Sequence, residues 1–516
     1  MRKFLYSIVA FIAIAPAVKT QAQSGNDLLI SPIYEAKLDS VMDIMQRAKD
    51  GDADCQNVVG NWYFEGKHVD QSYATAAKWW SNAAANGSVD AIGNLGICYH
   101  FGLGVECDTV KAKGLYIKSI EKGSLDLFEV LAEVGEDGDE LCSIVVAECY
   151  LKGIGVGRNK DKAIEYLSRV AKDGSVNVQR ELALVLLNDK NPKDAAVWFK
   201  RAADGGDLVS TYYYGWLLYN GMGVSRDVQN GVIYLLKAAE GGLPQSQYFV
   251  GTIYASGKGL PLDETQAVEW FTRAACGDNA NAMWELGECY RLGKGVAVDF
   301  NRAAKWYSEA VATGKYKRQF TKLCEEQAGT PFMKYLQGLK AYLVDKNYEL
   351  ALSLFKEVEK AKYINGKTMQ AVILRDKNYA KRDDKKAFKM FKQAWEKGDP
   401  LAAYYMGLMY ESGQGVEQNA DLAMDMLKAS AEKGCAAAMC YIGDICYEGR
   451  GYAQNYQTAV NWYLHAQKQL GLTSNSAKRL AHCYEEGLGG LDVDAKAAKK
   501  TLETKNVNIV TILKLI

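Results

Sequence analysis

Small, apolar and aromatic residues recur in a fixed order along this chain, with Lys and Glu distributed between them. A small residue in an apolar stretch is followed by a Tyr, by Gly-x-Gly-Val, and then by an Ala shortly before an aromatic residue. Gly215, Gly251 and Gly287 follow one another at intervals of 36 residues, as do Gly407 and Gly443. Because such internal repetition is typical of stacked helical units, the pattern predicts a repeat protein.

Twelve units align on two columns of small residues, and each column predicts a close approach between the two helices of a unit. The first column, a glycine or its substitute, is Gly60, Gly96, Ala147, Ala183, Gly215, Gly251, Gly287, Gly338, Arg375, Gly407, Gly443 and Ala481. The second column is Ala76, Ala112, Ala163, Ala195, Gly231, Ala267, Ala303, Ala351, Ala387, Ala423, Ala459 and Ala497.

Each unit is predicted to be a pair of antiparallel helices, here called helix A and helix B. The Gly-x-Gly-Val stretch lets the backbone take positive φ and leave helix A. One helix pair cannot bury its apolar face alone, so stacked pairs are expected to share a continuous core. A large residue three positions after the second column is predicted to fill the space between neighbouring units; these residues are Trp79, Tyr166, Trp198, Trp270, Trp306 and Trp462.

This pattern resembles the Sel1-like repeat family, a relative of the tetratricopeptide repeat, over about residues 52–504. The resemblance implies an all-α protein, a right-handed α-solenoid of about twelve antiparallel helix pairs. Three units, centred on Ala183, Gly338 and Arg375, lack the Gly-x-Gly-Val stretch and are expected to be plain tetratricopeptide units with short turns.

The first 22 residues have the pattern of a signal peptide. Arg2 and Lys3 precede an apolar run that is short for a membrane span, and small residues follow up to Ala22. The alternative is a retained N-terminal anchor. No Cys lies at the expected cleavage point, which disfavours a lipoprotein. The segment predicts a periplasmic or secreted bacterial protein without a membrane span after cleavage.

The remaining chain is predicted to divide at an irregular stretch. Residues 23–51 are expected to hold an N-terminal cap helix, 52–314 seven repeats, 315–329 a junction and 330–504 five repeats. The alternative is one continuous solenoid with an extra helix at 315–329. The tail, residues 505–516, is apolar at its end and is expected to cap the final helix.

Composition and motifs point away from catalysis. Lys+Arg and Asp+Glu are both 62, so the chain lacks the excess of basic residues that is typical of nucleic-acid-binding proteins. We therefore expect no nucleic-acid partner. The four histidines form no metal-binding motif, and no phosphate-binding loop or nucleophile–base pattern is present. We therefore expect no enzyme activity, no cofactor and no metal.

The 12 cysteines allow two interpretations. Five of them precede a Tyr at the same point of helix A, which favours packed thiols, whereas an oxidising compartment favours a few disulfides. The five are Cys98, Cys149, Cys289, Cys446 and Cys483.

The family resemblance implies that helix A lines the concave side, and it indicates which side chains face a partner there. These are Tyr212, Trp216, Tyr219, Tyr248, Trp284, Glu288, Arg291, Tyr404 and Glu411. Aromatic side chains near charges suit a groove for peptides or glycans. The predicted function is a protein–protein interaction scaffold for proteins or peptides. The alternatives are a peptidoglycan- or glycan-binding envelope protein and a β-lactam or cell-wall hydrolase.

Overall fold

The structure, a computed structural model, describes residues 34–450, 453–469, 472–503 and 510–516. The predicted signal peptide, residues 1–22, lies outside the described residues. Within them every regular element is a helix and no strand is present. The all-α prediction is therefore confirmed.

The helices form pairs in the predicted order. A leading helix spans Tyr34–Lys49, and the A and B helices of repeats one to four are Ala53–Glu65 and Tyr73–Ala85, Val89–Phe101 and Thr109–Glu121, Glu140–Lys152 and Lys160–Ala171, and Val176–Asn188 and Pro192–Asp204. Repeats five to eight are Leu208–Asn220 and Val228–Glu240, Pro244–Ser256 and Glu264–Cys276, Ala280–Leu292 and Phe300–Ala312, and Pro331–Leu343 and Tyr348–Lys360. Repeats nine to twelve are Ile364–Leu374 and Asp384–Glu396, Pro400–Ser412 and Ala420–Glu432, Ala436–Glu448 and Tyr456–Gln469, and Ser474–Glu486 and Ala495–Glu503. Additional helices span Leu125–Glu136, Lys317–Glu326 and Val510–Leu513, with a short 3₁₀ turn at Leu488–Gly490.

The chain divides into two compact units, residues 1–227 and residues 228–516. This boundary falls between the two helices of the fifth repeat. The predicted junction, residues 315–329, lies inside the second unit, where Lys317–Glu326 forms a helix. In the first unit the leading helix packs on the first repeat, with Ala48 and Val59 fully buried in one cluster.

Helix ends follow from local sequence. Most helices begin after an Asp, Asn, Ser or Thr whose side chain accepts a backbone N–H, as Asp139 does from Cys142 at 2.8 Å. Helix A of the seventh repeat ends at Gly293, whose φ of 75° is left-handed, and Gly295 follows with φ 68°. The predicted role of the Gly-x-Gly stretch is confirmed there.

The first glycine column is pressed against a side chain of helix B. A Cβ atom at Gly60, Gly96 or Gly287 would lie 2.5 to 2.8 Å from a ring of the paired helix. That ring comes four positions after the small residue of the second column, directly after the residue that was predicted to fill the space between neighbouring units. In the first eleven repeats the residue at this position exposes at most 2% of its surface, and in the twelfth it is Thr501, which exposes 3%. The eleven are Trp80, Tyr116, Leu167, Phe199, Leu235, Phe271, Tyr307, Phe355, Phe391, Leu427 and Tyr463.

The residue three positions after the second column is less uniformly buried. Tyr166, Trp270 and Trp306 expose 7 to 8%, whereas Trp79 and Trp198 are half-buried. Because a helix turns about 100° per residue, the position one step further points more directly at helix A.

The units without Gly-x-Gly-Val differ from one another. Lys190 and Lys346, with φ of 59° and 55°, make short turns in the fourth and eighth repeats as expected. The ninth repeat does not have a short turn, because its helices end at Leu374 and begin again at Asp384. Tyr379, 8% exposed, anchors this longer connection by donating its hydroxyl to Glu349.

The second unit also contains contacts between repeats that are distant in sequence. Arg302 Nη2 donates to the carbonyl of Gly434 at 2.9 Å, and Phe300 N donates to Asn365 Oδ1 at 3.2 Å. These bonds join the seventh repeat to the ninth and to the turn before the eleventh.

The C-terminal helix Val510–Leu513 does not cap the final repeat as expected. It lies against Phe300–Ala312 and Pro331–Leu343, with Ile512 and Leu513 fully buried. Burial of these apolar side chains accounts for the position, since exposed Ile and Leu would forgo hydrophobic stabilisation.

The structure forms no disulfide among the twelve cysteines, all of which lie in the described ranges. In the Cys-Tyr column, Cys98, Cys149 and Cys483 have no exposed surface, and Cys289 exposes 7%. Burial raises the pKa of the Cys98 thiol to about 12. The burial of these four thiols agrees with the packed-thiol interpretation, while Cys446, the fifth of the column, is half-buried.

Candidate interaction surface

The nine side chains predicted to face a partner all lie on or at the end of A helices, and each is half-buried. Three belong to the first unit and six to the second. Half-burial means that each side chain both packs on its neighbours and presents surface to solvent.

In the first unit, helix Leu208–Asn220 carries an aromatic row on one face. Tyr212, Trp216 and Tyr219 are spaced by four and three residues, which places them one above another. Tyr212 meets the ring of Tyr213 edge-on at 5.1 Å, and burial raises the pKa of Tyr212. Such a row offers ring surface together with hydroxyl groups.

In the second unit, the seventh repeat holds a closed polar network. Tyr307 donates its hydroxyl to Glu288 at 2.5 Å, while Arg291 donates to Glu288 at 2.5 Å and to the Tyr307 oxygen at 3.2 Å. The Trp284 ring stacks on Tyr316, with ring centroids 4.9 Å apart. A partner that bound at this network would meet a carboxylate and a guanidinium group that are already paired with each other.

The sixth and tenth repeats use their aromatic residues in a similar way. Tyr248 packs on Phe271 with ring centroids 5.9 Å apart. Tyr404 meets Tyr441 edge-on at 6.2 Å, and the hydroxyl of Tyr441 donates to Glu411. These side chains therefore connect neighbouring helices as well as bordering solvent.

Sequence reasoning missed one cluster in the first unit. His100, Asp139 and Cys142 bring their ligand atoms within 4.8 Å of one another, and no other such metal-capable group occurs in the described part of the chain. Burial lowers the pKa of His100 and raises that of Cys142 well above its ordinary value. Local motifs could not reveal the cluster, because its residues come from two repeats separated by the additional helix Leu125–Glu136.

None of the described helices is both long enough and apolar enough to cross a membrane.

Antiparallel helix pairs with close-packed small residues define a helical-repeat protein. The family described as Sel1 repeat matches most of this chain, and the chain belongs to that family. The twelve matches are residues 53–88, 89–124, 144–175, 189–207, 209–243, 244–279, 280–314, 333–357, 375–399, 400–435, 436–466 and 474–500. This fold is generally used for protein–protein interaction, and such scaffolds are generally non-catalytic.

Known proteins with similar sequence or structure include three from bacteria. The Neisseria meningitidis serogroup B protein described as uncharacterized protein NMB1327 is 28% identical over 119 residues; the alignment covers 22% of this chain and only 26% of that protein's length. The structure of c5321, a protective antigen of uropathogenic Escherichia coli displaying an SLR fold, is 23% identical, with 92% of this chain and 93% of that chain covered and a TM-score of 0.37. A Sel1 repeat protein from Oxalobacter formigenes is 26% identical, with 55% and 97% covered and a TM-score of 0.25.

Proposed function

We propose that this protein is an exported, non-catalytic scaffold that binds protein or peptide partners through its A helices. The support for binding is the aromatic row Tyr212, Trp216 and Tyr219, which is half-buried on one face of one helix. The support for export is the basic and apolar pattern of residues 1–22.

The chemistry of the row favours a peptide. Tyr and Trp supply large, rigid contact area at low entropic cost, and they dominate the energetics of protein interfaces. The row carries no charged side chain, so a partner segment with apolar and hydrogen-bonding groups matches it best.

The proposal is tested by partner capture with two matched variants. Wild type, Tyr212→Ala/Trp216→Ala and Val197→Ala are each expressed with their native leader and cross-linked in the cell envelope. Val197 is a suitable control because it lies in the same unit and is 62% exposed on a B helix. Loss of the two rings should weaken a captured partner about 10- to 30-fold, whereas Val197→Ala should leave it bound.

If the Tyr212→Ala/Trp216→Ala variant and the Val197→Ala variant capture every partner equally well, the proposal that the aromatic row binds partners is wrong. Circular dichroism and thermal melting of the variants show whether a loss comes from misfolding. Retention on purified peptidoglycan that is lost with the aromatic pair, without any protein partner, would replace the scaffold by a glycan-binding protein.

Export is tested separately by cell fractionation. The full chain should reach the envelope or the medium with its first 22 residues removed, and a variant lacking residues 2–22 should stay in the cytoplasm. An intact N-terminus in the mature protein would contradict cleavage.

A further inference from the structure

Three side chains of different chemistry meet between the second and third repeats. His100 lies near the end of helix Val89–Phe101, while Asp139 precedes helix Glu140–Lys152 and Cys142 lies in its first turn. The imidazole nitrogen, the carboxylate oxygen and the sulfur all lie within 4.8 Å of one another. Nitrogen, oxygen and sulfur ligands together form a donor set that suits zinc.

Two of the three ligands are oriented by a second contact. His100 Nδ1 is 3.2 Å from the hydroxyl of Tyr116, which leaves Nε2 to face Asp139. Asp139 Oδ1 accepts the N–H of Cys142 at 2.8 Å, which leaves Oδ2 to face His100. Metal-binding histidines and carboxylates are typically held in this way by partners on their other heteroatom.

The spacing fits two ligands on one ion. His100 Nε2 and Asp139 Oδ2 are 3.6 Å apart, which is longer than a good N–H···O hydrogen bond. Two ligands at ordinary zinc bond lengths on a tetrahedral ion stand about 3.4 Å apart. The observed separation is therefore close to that of ligands that share an ion.

Burial sets the site apart from a surface cluster. Cys142 has no exposed surface and the His100 side chain exposes 8%, whereas the Asp139 side chain exposes 25%. The buried Cys142 and His100 side chains would shield a bound ion from solvent on one side. The partly exposed Asp139 leaves the other side open, so that an ion can enter and a water molecule can serve as the fourth ligand.

We propose that His100, Asp139 and Cys142 bind a zinc ion that joins the second repeat to the third. Binding replaces the proton of the Cys142 thiol by the metal and releases that proton to solvent, with no change of oxidation state. None of these three side chains belongs to the aromatic row of helix Leu208–Asn220 that is proposed to bind partners. Its effect is to stabilise the stack where the additional helix Leu125–Glu136 interrupts the regular repeat.

The test titrates cobalt(II) into the metal-depleted full-length protein in the absence of partners. Wild type should develop thiolate-to-cobalt charge-transfer absorption with the visible bands of tetrahedral cobalt, and one equivalent of zinc should remove both. Cys142→Ser should abolish the charge-transfer band. Cys107→Ser should keep it, because Cys107 is an exposed thiol that donates to the backbone carbonyl of His100 and is not one of the three proposed ligands.

A second variant guards against misfolding. Asp139→Asn retains a side chain that caps the helix well, so the fold should persist while metal affinity falls by more than about 100-fold. Tyr116→Phe keeps the ring but removes the hydroxyl contact, and it should weaken affinity about 10- to 100-fold. Zinc should raise the melting temperature of wild type and of Cys107→Ser, raise that of Tyr116→Phe by less, and leave those of Cys142→Ser and Asp139→Asn unchanged. Wild type that gives no cobalt spectrum, or a spectrum unchanged in Cys142→Ser, would overturn the proposal.

Discussion

Gly96 and Tyr116 are in direct contact across the second repeat: a Cβ atom at Gly96 would lie 2.8 Å from Tyr116 Cδ1. The Tyr116 ring is 1% exposed and its hydroxyl is 3.2 Å from His100 Nδ1. The same ring thus sets the distance between helices A and B and holds the imidazole of the proposed metal site.

This contact predicts the effect of a single methyl group. Gly96→Ala should lower the free energy of unfolding by about 1–3 kcal/mol, because the added methyl group would overlap a buried ring and one of the two must shift. Chemical denaturation followed by circular dichroism measures the change. Gly114→Ala is the control in the same repeat, since Gly114 is helical and exposed with no atom within 4 Å of its Cβ position. The control should gain about 0.5–1 kcal/mol from helix propensity, and equal losses in the two variants would contradict the argument.

Substitution of the second glycine in the Gly-x-Gly stretch should destabilise the protein for two reasons. Gly295 has φ 68°, and a Cβ atom there would lie 2.2 Å from the carbonyl oxygen of Glu264 in the preceding repeat. Gly314 has φ 86° but no atom within 4 Å of its Cβ position. Gly314→Ala should therefore lower the free energy of unfolding only through the strain of an alanine in the left-handed conformation, by about 1–2 kcal/mol. Gly295→Ala should cost a further 1–3 kcal/mol, roughly, from the clash. Thermal melting of both proteins compares them, and similar losses would show that the glycine is not needed for stacking.

A buried carboxyl predicts a dependence of stability on pH. Asp399 is 3% exposed and accepts the hydroxyl of Thr368 at 2.5 Å, with Asp299 and Arg302 as its charged neighbours. Burial raises its pKa from 3.8 to about 6. The folded state then holds a proton that the unfolded chain releases, so this group lowers stability as the pH rises from about 4 to about 6.

Asp399→Asn should remove this loss of stability between about pH 4 and about pH 6, and the asparagine side chain should still cap the helix. Relative to wild type, the variant should gain stability across this window, by an amount of the order of 3 kcal/mol. Thr368→Val removes a donor to the charged form, so it should move the wild-type transition to higher pH. Unfolding curves between pH 4 and pH 7 test both, and a difference between Asp399→Asn and wild type that is constant with pH would exclude Asp399 as the cause.

The C-terminal helix should contribute to the stability of the second unit. Leu513 has no exposed surface, whereas the neighbouring Lys514 is exposed. Leu513→Ala should cost about 2–5 kcal/mol of unfolding free energy, and Lys514→Ala less than about 0.5 kcal/mol. Differential scanning calorimetry of the two variants measures the difference. If both melt like wild type, the segment does not hold its place in solution.

Much of each repeat could be predicted because its causes are local. A left-handed glycine such as Gly293 ends a helix wherever it occurs, and an Asp such as Asp139 begins one. The register of packing was harder to predict. Trp79 and Trp80 both follow Ala76 closely, and only the helical geometry decides that Trp80 meets Gly60.

For the candidate surface, the sequence could predict which positions of a helix share a face, but not which side chains of other helices they contact. Sequence spacing places Tyr212, Trp216 and Tyr219 on one helix face, and the structure has them there. The partners of Trp284 and Glu411 could not be predicted, because Tyr316 and Tyr441 belong to other helices. Their contacts depend on how successive helices are stacked.

The sequence by itself determined the repeats, the helix pairs and the positions where the chain turns, since these depend on residues within one unit. Only the tertiary structure decided which units meet. It brought His100 to Cys142 across an extra helix and placed Leu513 against the seventh and eighth repeats. The physical reason is that small rotations between neighbouring helices accumulate along a stack, so contacts between distant repeats depend on every intervening one.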